Sequence, residues 1–151
     1  MPNHVESLLT LQGPSKELKR FLEVAAGESI KATQLKKDLN LEHKLFDFES
    51  FIPLHKNIQG IENWGTKWNA YDVAIEKGLT YKKPYVKISF QTAWSSVPKV
   101  IKKISKMFPE FSIKYAYLDE GSNFCGWEKY KGGVLQSESV DCFKTINRHL
   151  K

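Results

Sequence analysis

The stretch YVKISFQTAWSSVPKVIKKISKMF, residues 85–108, decides the fold. Its first half alternates, with Val86, Ile88 and Phe90 on one side of an extended chain and Lys87, Ser89 and Gln91 on the other. That is a strand with one dry and one wet face. Its second half changes period. Val97, Val100, Ile101, Ile104 and Phe108 recur at helical spacing, so a helix starts just after TAWSSVP and Pro109 stops it. Ser95 or Ser96 is expected to cap that helix, and Pro98 suits its first turn. A strand that is wet on one side belongs in an antiparallel sheet, with the helix returning across its dry face.

The same grammar repeats on both sides of this stretch. Upstream, His4 to Leu11 alternates with Val5, Ser7, Leu9 and Leu11 on one face, and Gly13-Pro14 breaks the strand. Ser15 can cap a helix carrying Leu18, Phe21, Leu22 and Ala25, which Gly27 ends. Residues 28–62 read as an irregular insertion, charged at first and then anchored by Phe46, Phe48 and Phe51 of FDFESFIPL. A strand opens inside NWGTKWNAYD, residues 63–72, with Tyr71, Val73 and Ile75 expected on one face. Downstream, Phe111, Ile113, Tyr115 and Tyr117 alternate as far as Asp119-Glu120-Gly121. Residues 123–150 then give a hairpin turning at Lys131-Gly132-Gly133 and a short terminal helix. The order β-α-β-β-α-β predicts a single α+β domain over residues 1–151. It is a ferredoxin-like antiparallel sheet with two helices on one face, extended by the C-terminal hairpin and short helix.

Composition narrows the function classes. A chain of 151 residues, 41% hydrophobic and 26% charged, is an ordinary globular domain. No apolar run approaches the ~20 residues of a membrane span. The start MPNHVESLL lacks the marks of a signal peptide, so a cytoplasmic location is expected. Cys125 and Cys142 have no metal-type spacing and read as two ordinary thiols. The net charge of +6 invites a polyanion. Arg20 and Arg148 are the only arginines, however, and the lysines are scattered, with short clusters at Lys36-Lys37, Lys82-Lys83 and Lys102-Lys103. That pattern reads first as solvated surface.

Polar and aromatic residues concentrate in three places. NWGTKWNAYD packs Asn63, Trp64, Lys67, Trp68, Asn69 and Asp72 into ten residues. Plain core avoids such polarity unless it is hydrogen-bonded. One reading is a site in which Trp64 or Trp68 stacks, Asn63 and Asn69 orient a ligand, and Lys67 supplies charge. The other is a loop tied down by its own tryptophans and asparagines. In TAWSSVP a helix N-terminus with Thr92, Trp94 and Ser95 nearby can attract an anion, or Ser95 simply caps and Trp94 fills core. Asp119 and Glu120 point to opposite faces unless the chain turns there, as Gly121 indicates; with no nucleophile or metal ligand evident nearby, a turn that lines a site is expected before an acid–base pair. His4 opens a strand on the face opposite Val5 and Leu9. That is the face on which RNA-recognition domains stack bases, although the aromatic motif of their third strand is missing from 86–90. His4, His43, His55 and His149 are too dispersed for a metal centre, and no cofactor is expected.

Four segments together resemble the YubB ferredoxin-like family of phage and plasmid proteins. They are MPNHVESLLTLQG (1–13), NWGTKWNAYD (63–72), FQTAWSSVP (90–98) and YLDEGSNFCG (117–126), and FDFESFIPL fits the same pattern. The likeness runs from residue 1 to about residue 130. Ser96-Val97 departs from it, where such proteins more often carry a proline pair. The resemblance implies the ferredoxin-like fold and a mobile-element setting, and imports no activity. The expectation is a non-enzymatic accessory protein that binds a small polar or anionic ligand, or a host protein as in counter-defence, through 63–72 with 92–96 and 119–120. The alternatives are a nucleic-acid-binding module using the open sheet face, and a small hydrolase or transferase using Asp119 and Glu120.

Overall fold

The computed structural model describes residues 3–26, 45–53, 64–66, 68–121 and 123–140. The strands are β1 (His4–Gln12), β2 (Tyr71–Gly78), β3 (Tyr85–Ala93), β4 (Ser112–Asp119), β5 (Cys125–Lys131) and β6 (Val134–Ser139). The helices are α1 (Ser15–Ala26) and α2 (Pro98–Met107). They form one six-stranded sheet in the order β2-β3-β1-β4-β5-β6, with every pairing antiparallel. The first four strands in that order, with α1 and α2, are the ferredoxin-like βαββαβ unit that the alternation predicts. The β5–β6 hairpin lengthens the sheet beyond β4. Most of the irregular insertion and the expected terminal helix lie outside the described residues.

Alternation becomes layering directly. Leu9 and Leu11 of β1, Val86, Ile88 and Phe90 of β3, and Ile113 and Tyr115 of β4 are buried under the helices. Leu18, Phe21 and Ala25 of α1 and Val100, Ile101 and Ile104 of α2 close on them. Burying each such side chain stabilises the fold by roughly 1.5–3 kcal/mol. Aromatic contacts lock the layer: Phe21 meets Phe108 edge-on at 5.5 Å, and Phe46 meets Phe90 at 5.0 Å. Phe46, Phe48 and Phe51, flanking a 3₁₀ turn at Phe48–Ser50, thus anchor the insertion to the core.

Local details differ from the sequence reading in four places. Ser15 does not cap α1; its hydroxyl donates to the carbonyl of Leu79 at 2.7 Å and ties the helix to the end of β2. Neither Ser95 nor Ser96 caps α2, whose N-cap is Val97 with no side-chain bond. The Val97 amide is satisfied instead by the hydroxyl of Tyr115 at 3.0 Å, and burial holds that phenol above its usual range. Cys125 is disulfide-bonded and not the free thiol expected. Finally, Tyr71 does not share a face with Val73 and Ile75. The β2–β3 register slips between Tyr71 and Ala74, and Asp72 adopts φ 50°. This bulge turns Tyr71 onto the open face, against His4.

Candidate functional site

Helices cover one face of the sheet, and among the described residues the other face carries no helix. At one end of β1 stand the loops rich in tryptophan; at the other stands a row of lysines.

The tryptophan end is knitted together by its own polar groups. Trp64 is buried, donates through Nε1 to the Ile52 carbonyl at 2.8 Å, and packs edge-on against Phe48. A buried ring has no face for a ligand, which corrects the stacking role given to Trp64. Asn69 accepts the amides of Phe48 at 3.0 Å and Ala70 at 2.9 Å through Oδ1, and donates to Asp47 at 2.7 Å. That use of both ends of its amide leaves it as a clamp on the insertion. Thr66 donates to the Ala93 carbonyl at 2.6 Å, and Ser95 donates to the Gly65 carbonyl. The expected meeting of 63–72 with 92–96 therefore occurs, as internal bonding. Thr92 is buried and donates to the Ser95 carbonyl at 2.7 Å, shaping the turn before α2. With the Val97 amide bonded to Tyr115 and Pro98 lacking an N–H, the helix N-terminus offers little to an anion. Asn63 and Lys67 lie outside the described residues.

Two tryptophans here do reach solvent: Trp68 is 45% exposed and Trp94 56%. Trp94 is not core, because the chain turns through φ 71° at this residue and swings its ring outward. Its amide donates to the Asn3 carbonyl at 2.8 Å, and that bond helps hold the unusual conformation. Beside it, His4 Nδ1 and the Tyr71 hydroxyl share a short hydrogen bond. Burial, with Asp72 and Glu120 nearby, raises the Tyr71 phenol above its usual range. Glu120 is exposed and accepts the His4 amide at 2.9 Å. Asp119 is buried and accepts both the amide and the side chain of Asn123, at 3.2 and 2.9 Å. The two carboxylates hold different segments in place and do not form a facing pair.

The other end of the open face is built differently. In the strand register Thr10 lies beside Lys87 on β3 and Lys114 on β4, and Lys114 lies beside Lys129 on β5. Three lysines thus stand in one line across four strands, all on the side away from the helices. Lys131 follows two residues after Lys129 and donates to the Glu110 carbonyl at 2.8 Å. A groove of about 420 Å³ runs here, its polar walls including Thr10, Gln12, Ser112, Lys114, Lys129 and Lys131. At the β3 end Glu76 of β2 lies beside Lys87 in the register and accepts the Tyr85 hydroxyl at 3.3 Å, whereas among the described residues neither Lys114 nor Lys129 makes an ion pair. Partial burial, then Lys129 and Lys87, lower the Lys114 ammonium below its ordinary value. The cationic side chains also lie on aromatic rings. Lys129 Nζ sits 5.3 Å from the centre of the Trp127 ring, and Lys87 Nζ 5.5 Å from that of Tyr85.

Sequence reasoning missed this row because its members lie far apart in the chain and only the register aligns them. The available signal was that Lys87, Lys114 and Lys129 each occupy the wet position of an alternating strand. Among the described residues no group of three or more His, Cys, Asp or Glu side chains is placed to hold a metal, and no helix is long and apolar enough to cross a membrane.

Comparison with known proteins agrees with the architecture. Residues 63–144 match the family model described as a ferredoxin-like domain in Api92-like protein. The uncharacterised protein YubB of Escherichia coli (strain K12) is 33% identical over 52 residues, 34% of this chain and only about a third (35%) of that protein's length. The crystal structure of api92 from Yersinia pseudotuberculosis superposes with a TM-score of 0.64 at 9% identity, covering 93% of this chain and 98% of the other. At that identity the likeness is one of fold.

Proposed function

This chain belongs to the family of ferredoxin-like domains in Api92-like proteins, and from its own sheet face we propose that it is a binding protein, not an enzyme, holding an anionic ligand there. The observation that carries this reading is the adjacent pair Lys114 and Lys129 in the groove, which make no ion pair among the described residues, with Lys87 extending the row beside Glu76. Gathering like charges on adjacent strands is unfavourable in itself. An anion in the groove would relieve that repulsion and restore the depressed affinity of Lys114 for its proton. The tryptophan loop, first expected to bind, instead fixes the insertion and the turn before α2. Asp119 and Glu120 each hold their own backbone, which favours binding over hydrolysis or group transfer. In the mobile-element setting that the resemblance implies, capture of a phosphorylated host molecule is the role such a groove fits.

The test is calorimetric titration of inorganic tripolyphosphate into the protein and its Lys114→Gln and Lys129→Gln variants. Binding that weakens with added salt and falls several-fold in each variant supports the groove. Equal affinity in all three proteins contradicts it.

A further inference from the structure

Resting on that anion-binding reading, we propose that the ligand is single-stranded nucleic acid, laid across the strands along the lysine row and recognised without regard to sequence. Three features of the groove select this class.

The first is length. Lys87 and Lys129 lie three strand spacings apart, about 14 Å at ~4.8 Å per strand. Lys131 adds a further charge beside Lys129. A line of this length outreaches one phosphate group and suits several phosphates along a chain.

The second is the alternation of charge with aromatic surface. Tyr85 flanks Lys87 and Trp127 flanks Lys129, and Tyr81 stacks on Tyr85 at 5.7 Å while remaining 61% exposed. Cationic tracks bordered by aromatic rings suit strands whose bases are free to stack, whereas a duplex keeps its bases turned inward. Tyr85 lies at the start of β3, and Trp127 stands within β5 beside Ala116. The central positions Leu8, Ser89 and Ala116 carry none, so base stacking here differs from the arrangement the sequence search looked for on β3.

The third is that lysine alone supplies the groove's charge among the described residues, Arg148 lying outside them. Bidentate reading of guanine is mainly arginine work. Arg20 lies on α1, paired with Glu17 at 2.8 Å and set over the Phe108 ring, on the helix side of the sheet. Around Lys114 and Lys129 the groove is lined by Thr10, Gln12, Ser112 and Gln136, neutral groups suited to sugars and base edges of any identity.

The experiment is fluorescence anisotropy of a labelled twelve-residue thymidine oligonucleotide, its duplex form, and unlabelled tripolyphosphate as competitor. The single strand is expected to bind more tightly than the duplex. With three to four phosphates neutralised, the slope of log affinity on log salt should be about −2 to −3. Lys114→Gln should weaken single-strand binding about three- to tenfold and reduce the slope by about 0.7. Lys102→Gln, on the exposed side of α2, should change neither. Tyr85→Leu should weaken the oligonucleotide and leave tripolyphosphate unaffected, since only the former has bases to stack. Duplex binding equal to single-strand binding would overturn the inference. So would tripolyphosphate binding without oligonucleotide binding, a result that leaves the anion site standing. Failure of all three probes would overturn both readings.

Discussion

The two ends of β1 handle polar side chains in opposite ways. At the His4 end, Trp64, Thr66, Asn69, Thr92, Ser95 and Asp119 all hydrogen-bond to the protein itself, and most are buried, with Asp119 Oδ1 the one buried atom among them left without a partner. At the Gln12 end, lysines on three different strands converge, and of these only Lys87 has a carboxylate, Glu76, beside it in the register. A buried polar group must find a partner on folding, so density of polar residues in sequence marks a well-tied loop as readily as a site. A cluster of uncompensated charge has the reverse meaning. The fold does not need it, and its repulsion opposes the fold. The pair of regions teaches that a candidate site is better judged by unfilled valence than by unusual composition.

The largest test of this contrast concerns the buried tryptophan. Trp64→Ala should destabilise the protein by roughly 3–5 kcal/mol in a denaturant titration, because it empties a packed site and orphans the Ile52 carbonyl. Trp68→Ala, half exposed in the same motif, should cost less than about 0.5 kcal/mol. Equal losses at the two positions would break the distinction between tie and surface. Next in size is Asn69→Ala, expected to cost about 1–3 kcal/mol, since the Phe48 and Ala70 amides lose their acceptor and Asp47 keeps only the Glu49 amide.

A smaller effect of opposite sign is expected at Glu128. Its carboxyl is buried, one oxygen has no hydrogen-bond partner, and it faces Glu138 across the β5–β6 pair. Burial foremost, with Glu138 adding, raises it above the ordinary 4.5. A carboxyl that binds its proton more tightly when folded loses stability as pH rises through that window. Glu128→Gln should therefore raise stability at neutral pH by a few tenths to about 1 kcal/mol, and the gain should vanish below the ordinary carboxylate range. Thermal melts at acid and neutral pH read both signs. Lys114 gives the matching result on the alkaline side. With its ammonium below the ordinary 10.5, tripolyphosphate affinity should begin to fall, as pH rises, below that value, and Lys114→Gln should remove that step.

The smallest change is expected at Trp94. Trp94→Gly relieves a positive φ, gains backbone freedom in the unfolded chain, and loses little packing from an exposed ring. The net shift should stay under about 1 kcal/mol, with anion affinity unchanged. A large loss of anion binding would move the site to the tryptophan end.

The fold was legible because alternation and helical period are local. Val86, Ile88 and Phe90 followed by the Val97–Phe108 stripe imply the strand-helix unit with no knowledge of partners. What remained hidden depends on two strands at once. The Asp72 bulge that turns Tyr71 toward His4 exists only in the pairing with β3. The lysine row is created by the pairings of β1 with β3 and β4, and of β4 with β5. Caps failed for a related reason: Ser15 and Ser95 found carbonyls of distant segments, a tertiary competition that a capping rule does not include. For the site, the motif drew attention to residues that are chemically busy, and half of that activity proved to be structural.

Amide chemical-shift mapping during a tripolyphosphate titration tests the central claim most directly. The account predicts saturable shifts at Thr10, Lys87, Lys114 and Lys129, with the indole signals of Trp68 and Trp94 unmoved. Shifts confined to those indoles and to His4, with the lysine row silent, would contradict it.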